Sequence, residues 1–158
     1  MTDPLRWTCA PAAELSTSAL YQALALRAQV FVVEQHCVFL DPDGLDLRPG
    51  AWQLLGHDGQ GDLMVCARLL APGIKGARQV HPMISRVVNA PAARGQGLGR
   101  RLMERAIAEC TRRWPGLPID IGAQAYLQRF YASLGFEPLS ALYDEDGIPH
   151  LDMRRPAA

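Results

Sequence analysis

Arg94-Gly95-Gln96-Gly97-Leu98-Gly99-Arg100-Arg101-Leu102-Met103 places three glycines between Arg94 and Arg100, where a strand-like run gives way to a helical pattern. Glycine lets a backbone turn sharply and lets a ligand come close to it. The first N–H groups of a new helix have no intrahelical partners and sit at the positive end of its dipole, so such a junction suits phosphate. Most glycine clusters only make turns, so the flanking sequence decides. The guest expected here is a polyanionic cofactor.

Two familiar phosphate loops do not fit the spacing. A dinucleotide fingerprint needs G-x-G-x-x-G, but Gly95 and Gly97 are followed by Arg100, and Gly97 and Gly99 by Leu102. A P-loop needs Gly-Lys-Ser/Thr, which the chain lacks. What remains is Arg-x-x-Gly-x-Gly, Arg94 to Gly99, preceded by Ile84-Ser85-Arg86-Val87-Val88-Asn89-Ala90-Pro91. This resembles motif A of the GNAT superfamily of acyl-CoA-dependent N-acetyltransferases. The resemblance implies that the strand at Arg86, Val87 and Val88 pairs with the pantetheine arm of coenzyme A. It further implies that the loop from Arg94 through Gly95, Gln96, Gly97, Leu98, Gly99 and Arg100 binds the pyrophosphate.

Downstream of the loop, Leu98, Leu102, Ala106 and Cys110, with Met103 and Ile107 beside them, form one apolar stripe, and Pro115-Gly116 ends the helix they define. Upstream, apolar runs at 51–57 and 62–70 flank His57-Asp58-Gly59-Gln60-Gly61-Asp62 and predict an antiparallel hairpin. Leu20, Leu24, Arg27, Val30 and Phe31 recur at helical spacing behind Ser16 or Thr17 as N-cap, and predict a helix ending near Glu34-Gln35. Residues 5–10 are read as a first edge strand. Asp41 to Gly50 is full of turn formers and is read as a loop. Ile119 to Gly122 is a short β-branched strand, Ala125 to Leu134 a helix closed by Gly135, and 136–143 and 148–154 are two last strands.

The expected fold is α/β in a layered α+β arrangement. The GNAT resemblance specifies it as a mixed, mostly antiparallel twisted sheet of six to seven strands with helices on both faces. Its central parallel strands, here Ile84 to Asn89 and Ile119 to Gly122, would splay to admit the pantetheine.

A second match is Gln124-Ala125-Tyr126-Leu127-Gln128-Arg129-Phe130-Tyr131-Ala132-Ser133-Leu134-Gly135-Phe136. It is similar to motif B of that family, whose helix ends in Tyr-x-x-x-Gly-Phe and starts with Asn, a place taken here by Gln124. The resemblance assigns Tyr131 to protonation of the departing thiolate, a task suited to a phenol that is a neutral donor at pH 7. By composition alone Tyr131 would pass for a buried helix aromatic.

Transfer to an amine also needs a proton acceptor. Glu34 closes the first helix, and His150, in Gly147-Ile148-Pro149-His150, belongs to the residue type that ordinarily titrates near neutrality. Taken singly, each is as readily a structural residue. Together with Arg27-x-x-Val30-Phe31-Val32-Val33-Glu34-Gln35, the Asp41-x-Asp43-Gly44-x-Asp46 loop, Gly122-Ala123-Gln124-Ala125 and Tyr143-x-Glu145-Asp146-Gly147-Ile148-Pro149-His150, they resemble the ElaA family of small bacterial GNAT proteins over about residues 15 to 155. Asp41, Asp43 and Asp46 also resemble part of a calcium loop, but the downstream glutamate of an EF-hand is missing, and no metal is expected.

A chain of 158 residues is expected to form one domain, 1–158. Sixteen basic and sixteen acidic residues cancel, which leaves no net field to attract nucleic acid or an anionic membrane. No apolar run approaches the ~18 residues of a membrane span, and the opening lacks a signal-peptide pattern. The location expected is cytoplasmic. Four dispersed cysteines without a C-x-x-C pair are read as reduced thiols, Cys37 being the one to watch for reactivity.

These features point to an N-acetyltransferase with acetyl-CoA as co-substrate and a small-molecule or peptide amine as acceptor; a homodimer is compatible with them. The rival readings are a catalytically silent acyl-CoA-binding or sensor protein, which the substituted motif B Asn favours, and a nucleic-acid module, which the balanced charges disfavour.

Overall fold

The computed structural model describes residues 3–158; Met1 and Thr2, which begin the opening read above as lacking a signal peptide, lie outside them. Strands β1 (Arg6–Ala10), β2 (Ala51–His57), β3 (Leu63–Leu70) and β4 (Met83–Asn89) follow one another antiparallel across half of one sheet. β5 (Ile119–Gln124) runs parallel to β4, and β8 (Ile148–Arg155) antiparallel to β5. Two short strands, β6 (Glu137–Pro138) and β7 (Tyr143–Glu145), pair in turn with the far edge of β8.

Among the described residues the sheet thus has eight strands rather than six to seven. The difference lies in the segment 136–143, read above as one strand. Pro138 has no N–H to give a ladder. Two residues on, the Ser140 hydroxyl accepts the Asp152 N–H at 2.9 Å where a backbone carbonyl would stand, and the strand breaks into β6 and β7.

Two irregularities open the middle of the sheet. Between the pairs Cys66↔Val88 and Arg68↔Ser85, β4 carries one residue more than β3, a bulge at which Arg86 takes φ +51°. β4 and β5 share a single register pair, Met83↔Asp120, and diverge beyond it. The edge of β4 from Ser85 to Asn89 therefore has no strand beside it on the β5 side.

Helices cover both faces. On one, α2 (Leu98–Arg113) lays Leu98, Leu102, Met103, Ala106 and Cys110 on Val65, Leu69, Ile84 and Ile121, as its stripe predicts. On the other, α1 (Thr17–Arg27) covers Leu55, Cys66 and Val88. Ser16 caps α1 by accepting the Ala19 N–H at 3.0 Å. The buried line of α1 is Ala23, Leu26 and Arg27, continued by Val30 beyond its end, so Leu20 and Leu24 lie at its margin rather than at its centre.

Beyond Arg27 the helix does not stay α. Residues Ala28–Glu34 form a π-helix, closed by Gln35 N–H to Val30 C=O at 3.0 Å, and His36 follows at φ +57°. Such widened turns cost regular hydrogen bonding and recur at functional sites.

The loop after it is clamped by buried charge. Arg27, only 1% exposed, donates through Nε to Asp41 at 2.7 Å and through Nη1 to Asp46 at 2.7 Å. Arg68 holds Asp43 with two bonds of 2.8 and 3.0 Å, and Arg86 Nε lies 2.9 Å from Asp41. The three carboxylates of the apparent calcium loop are thus the partners of three arginines. Burial disfavours ionisation of Asp43, but the bonds from Arg68 and the Leu45 N–H and the charges of Arg68 and Arg86 outweigh it and hold the carboxyl at about 2.

Candidate functional site

α2 begins without a side-chain cap. Its N-cap is Gly97 at φ +72°, preceded by Gly95 at φ +77°, and both conformations belong to glycine. The N–H groups of Gly95 through Arg100 carry none of the turn, loop or cap hydrogen bonds of the described residues. A Cβ at Gly95 or Gly97 would meet nothing within 4 Å, so the space above the loop is free. Gly99 has another reason: a Cβ there would stand 2.7 Å from Asn89 Nδ2, so glycine lets the end of β4 pack on the first turn of α2. Gly97→Ala is expected to cost about 1 kcal/mol through backbone strain alone, a loss to be read by urea unfolding.

These N–H groups open into a cleft of about 990 Å³ that runs between the diverging strands. Arg86, Val87 and Val88 line it from β4, with the Val88 side chain itself turned into the α1 core. The Arg86 guanidinium is held by Asp41 and Asp43 and lies 5.2 Å from the centre of the Phe39 ring. Leu98 offers only its N–H, since its side chain is 5% exposed in the α2 core. Gln96 lies in the same loop and donates to Ala92 C=O at 2.6 Å, and Arg100 donates to Ser133 Oγ at 2.9 Å.

Tyr131 lies on α3 (Gln128–Ala132), and a helix-ending motif fixes its place. Gly135 at φ +93° gives its N–H to Ala132, and Phe136 gives its N–H to Tyr131, the two bonds of a Schellman ending. The accompanying apolar contact is Tyr131 on Phe136, rings edge to face at 6.0 Å. Tyr-x-x-x-Gly-Phe is therefore also what this helix ending requires. Tyr131 is 6% exposed, yet its hydroxyl makes none of the side-chain hydrogen bonds among the described residues and borders the cleft. Burial, with a smaller contribution from Tyr126, pushes the phenol up to about 12.

Across the cleft stands a wall made by the π-helix and the β7–β8 hairpin. Glu34 accepts from Arg94 Nη2 at 2.8 Å, so two residues singled out for different tasks face each other. Gln124, at the end of β5, donates to Gln35 Oε1 at 3.0 Å. His150 Nδ1 is 2.7 Å from Ile148 C=O and so carries the proton, and Nε2 lies 3.3 Å from Glu145 Oε2. The His150 ring stacks on Tyr143, whose hydroxyl donates to Asp152 Oδ1 at 2.7 Å.

Gln35, Phe39, Tyr143 and Asp152 were not picked out one by one from the sequence. Gln35 and Tyr143 stand inside segments that carried the ElaA resemblance; Asp152 left no signal. Cys37 borders the cleft but is 6% exposed, and burial together with the charges of Asp146 and Glu145 raises its thiol, which makes it a poor nucleophile.

The sequence model described as "Acetyltransferase (GNAT) domain" matches residues 64–156, which include the loop, both diverging strands and Tyr131. The chain belongs to the GNAT acetyltransferase family. Within that family it groups with ElaA: protein ElaA of Escherichia coli K12 is 43% identical over 152 residues, 96% of each chain. The crystal structure of E. coli ElaA superposes with a TM-score of 0.86 at 40% identity, covering 96% of this chain and 99% of that one. The crystal structure of an acyl-CoA N-acyltransferase from Pseudomonas aeruginosa superposes with a TM-score of 0.89 at 44% identity and the same coverage. GNAT membership carries acyl-CoA-dependent acyl transfer as the general activity. No helix among the described residues is long and apolar enough to cross a membrane.

Proposed function

We propose that this chain, acting as one domain in the cytoplasm, transfers an acetyl group from acetyl-CoA to a primary amine by direct attack with both substrates bound. The observation that carries the reading is the meeting, in one cleft, of an uncapped helix N-terminus, a strand edge without a neighbour and a buried phenol with a free hydroxyl. The acceptor is a small-molecule or peptide amine.

The residues suit coenzyme A. The N–H groups of Gly95 to Arg100, with the Arg94 side chain and the Gln96 loop, would hold the diphosphate. The main chain of Arg86, Val87 and Val88 would hold the amide-bearing arm and the thioester carbonyl. Gln124 stands where the motif B Asn contacts the cofactor, but its Nε2 is engaged by Gln35, so only its remaining donor and its carbonyl oxygen are free for that contact. Acetyl-CoA supplies an activated acyl group on a thiolate leaving group.

Tyr131 donates its proton to the sulfur, which its high pKa suits: the hydroxyl is fully protonated at neutral pH. Glu34 and His150 are the candidates to take the proton from the ammonium. The geometry favours His150, because Nδ1–H is fixed on Ile148 and Glu145 lies where it would stabilise an imidazolium formed by a proton taken at Nε2. Glu34 is already occupied by Arg94.

The test is release of free thiol from acetyl-CoA across a panel of amines. Turnover with at least one primary amine is expected. Protection against thermal unfolding by CoA, with no thiol released on any amine, would instead identify a silent binder.

A further inference from the structure

Glu34 and Arg94 stand 60 residues apart in sequence and on opposite lips of the cleft, one ending the π-helix and the other opening the glycine loop, and are joined at 2.8 Å. We propose that Glu34 couples the two halves of the cleft: its carboxylate holds Arg94 until a diphosphate takes the guanidinium, and is thereby freed to anchor a cationic acceptor. The inference rests on the acyl-CoA reading above, and makes Glu34 a positioning residue rather than the proton acceptor.

The buried arginine–aspartate clamps of the 41–46 loop are built differently. Arg27 and Arg68 are 1% exposed and bind their aspartates with several bonds each, so they cannot exchange partners without leaving buried charge unpaired. The Arg94 and Glu34 side chains are 48% and 34% exposed and share one bond. A pair so wet is worth little and opens at little cost.

Arg94 precedes Gly95, at the foot of the open N–H array, so an anion held by that array lies within reach of the guanidinium. A diphosphate carries more charge than a carboxylate and has those N–H groups besides, so it wins the arginine. The wall need not move during the exchange. Gln35 is pinned by its N–H on Val30 and by the bond from Gln124, so only the Glu34 and Arg94 side chains turn. Glu34 then borders the acceptor side with no cation of its own.

Two consequences follow. Removing the Glu34 charge eliminates a competitor, so the Glu34→Gln protein binds CoA about two- to five-fold more tightly by calorimetry, the range an exposed pair allows. In the natural protein CoA tightens a cationic amine and the amine tightens CoA by the same factor, by reciprocity of binding free energies, and neither coupling survives in Glu34→Gln. Both effects shrink as ionic strength rises.

The experiment is titration of the natural protein, Glu34→Gln and Glu34→Asp with CoA, and with N-acetylcysteamine thioester as a probe lacking the diphosphate, each with and without a cationic amine. Thermal unfolding of each variant checks its fold. The expected pattern is tighter CoA in Glu34→Gln, no change for the thioester probe, and retention of amine coupling in Glu34→Asp, which keeps the charge. Weaker CoA binding in Glu34→Gln would mean that Glu34 orients Arg94 toward the diphosphate, and unchanged binding that the pair never opens; either overturns the inference. Absence of any heat with CoA in the natural protein would instead remove the acyl-CoA reading itself.

Discussion

Tyr131→Phe lowers kcat by about 10²- to 10³-fold while CoA affinity and melting temperature stay where they were. The magnitude is that of removing one preorganised donor to a developing anion. The unchanged stability follows from geometry, because the hydroxyl has no hydrogen-bond partner among the described residues and its removal strands no donor or acceptor. The ring keeps its edge-to-face contacts with Phe130 at 5.2 Å and Phe136 at 6.0 Å. Steady-state kinetics beside calorimetry with CoA checks the split, and a normal kcat would remove Tyr131 from the mechanism. The pH profile offers a second view. With the phenol at about 12, Tyr131 imposes no loss of activity below that range. The sign for stability is also fixed: an unfolded tyrosine ionises near ~10 and the folded one does not, so its contribution is intact below that pH and is lost as pH rises toward 12.

The second large effect is on stability. Arg27→Met leaves the carboxylates of Asp41 and Asp46 buried with part of their compensation gone, at a cost of about 3 to 5 kcal/mol. For a chain of this size that is a fall in Tm of ~10 °C, to be read by thermal or urea unfolding. Arg27→Lys restores little, because the guanidinium reaches both carboxylates and the Asp41 carbonyl at once, which a single ammonium cannot. The damage reaches the cleft through Asp41, whose second oxygen contacts Arg86 at the bulge of β4. The same clamp makes the fold acid-sensitive. Asp43 is held at about 2 and Asp46 also below its usual range, so their contribution is complete above the ordinary carboxylate pKa and disappears as pH falls from about 4 toward 2.

Much of the architecture was legible because it follows from local rules. The stripe on α2, the glycine loop before it, the turn between β2 and β3, and Gly135 closing α3 each express a period or a backbone requirement that a few neighbouring residues state in full. The π-helix did not: Leu20, Leu24, Arg27, Val30 and Phe31 fit an α period well enough that nothing marks the widening after Arg27. The break between β6 and β7 depends on Ser140 finding Asp152, and so on a partner strand. The candidate site divides in the same way. Arg94 to Arg100, Gln124 and Tyr131 could be named because each belongs to a motif. The pairing of Glu34 with Arg94, of Gln35 with Gln124 and of Arg27 with Asp41 and Asp46 arises only when distant segments meet, and no single residue carries a sign of its partner.

Residues 137–149 supply no side chain to the hydrophobic clusters of the described residues, although they hold Tyr143 and Glu145 at the rim of the cleft. The exposed side chains of that hairpin tip are consequently spared the packing constraints that bind the buried clusters, while Tyr143 stays stacked on His150. Exchanges at its exposed positions can therefore reshape the mouth of the cleft, and with it the choice of guest, without opening a void underneath.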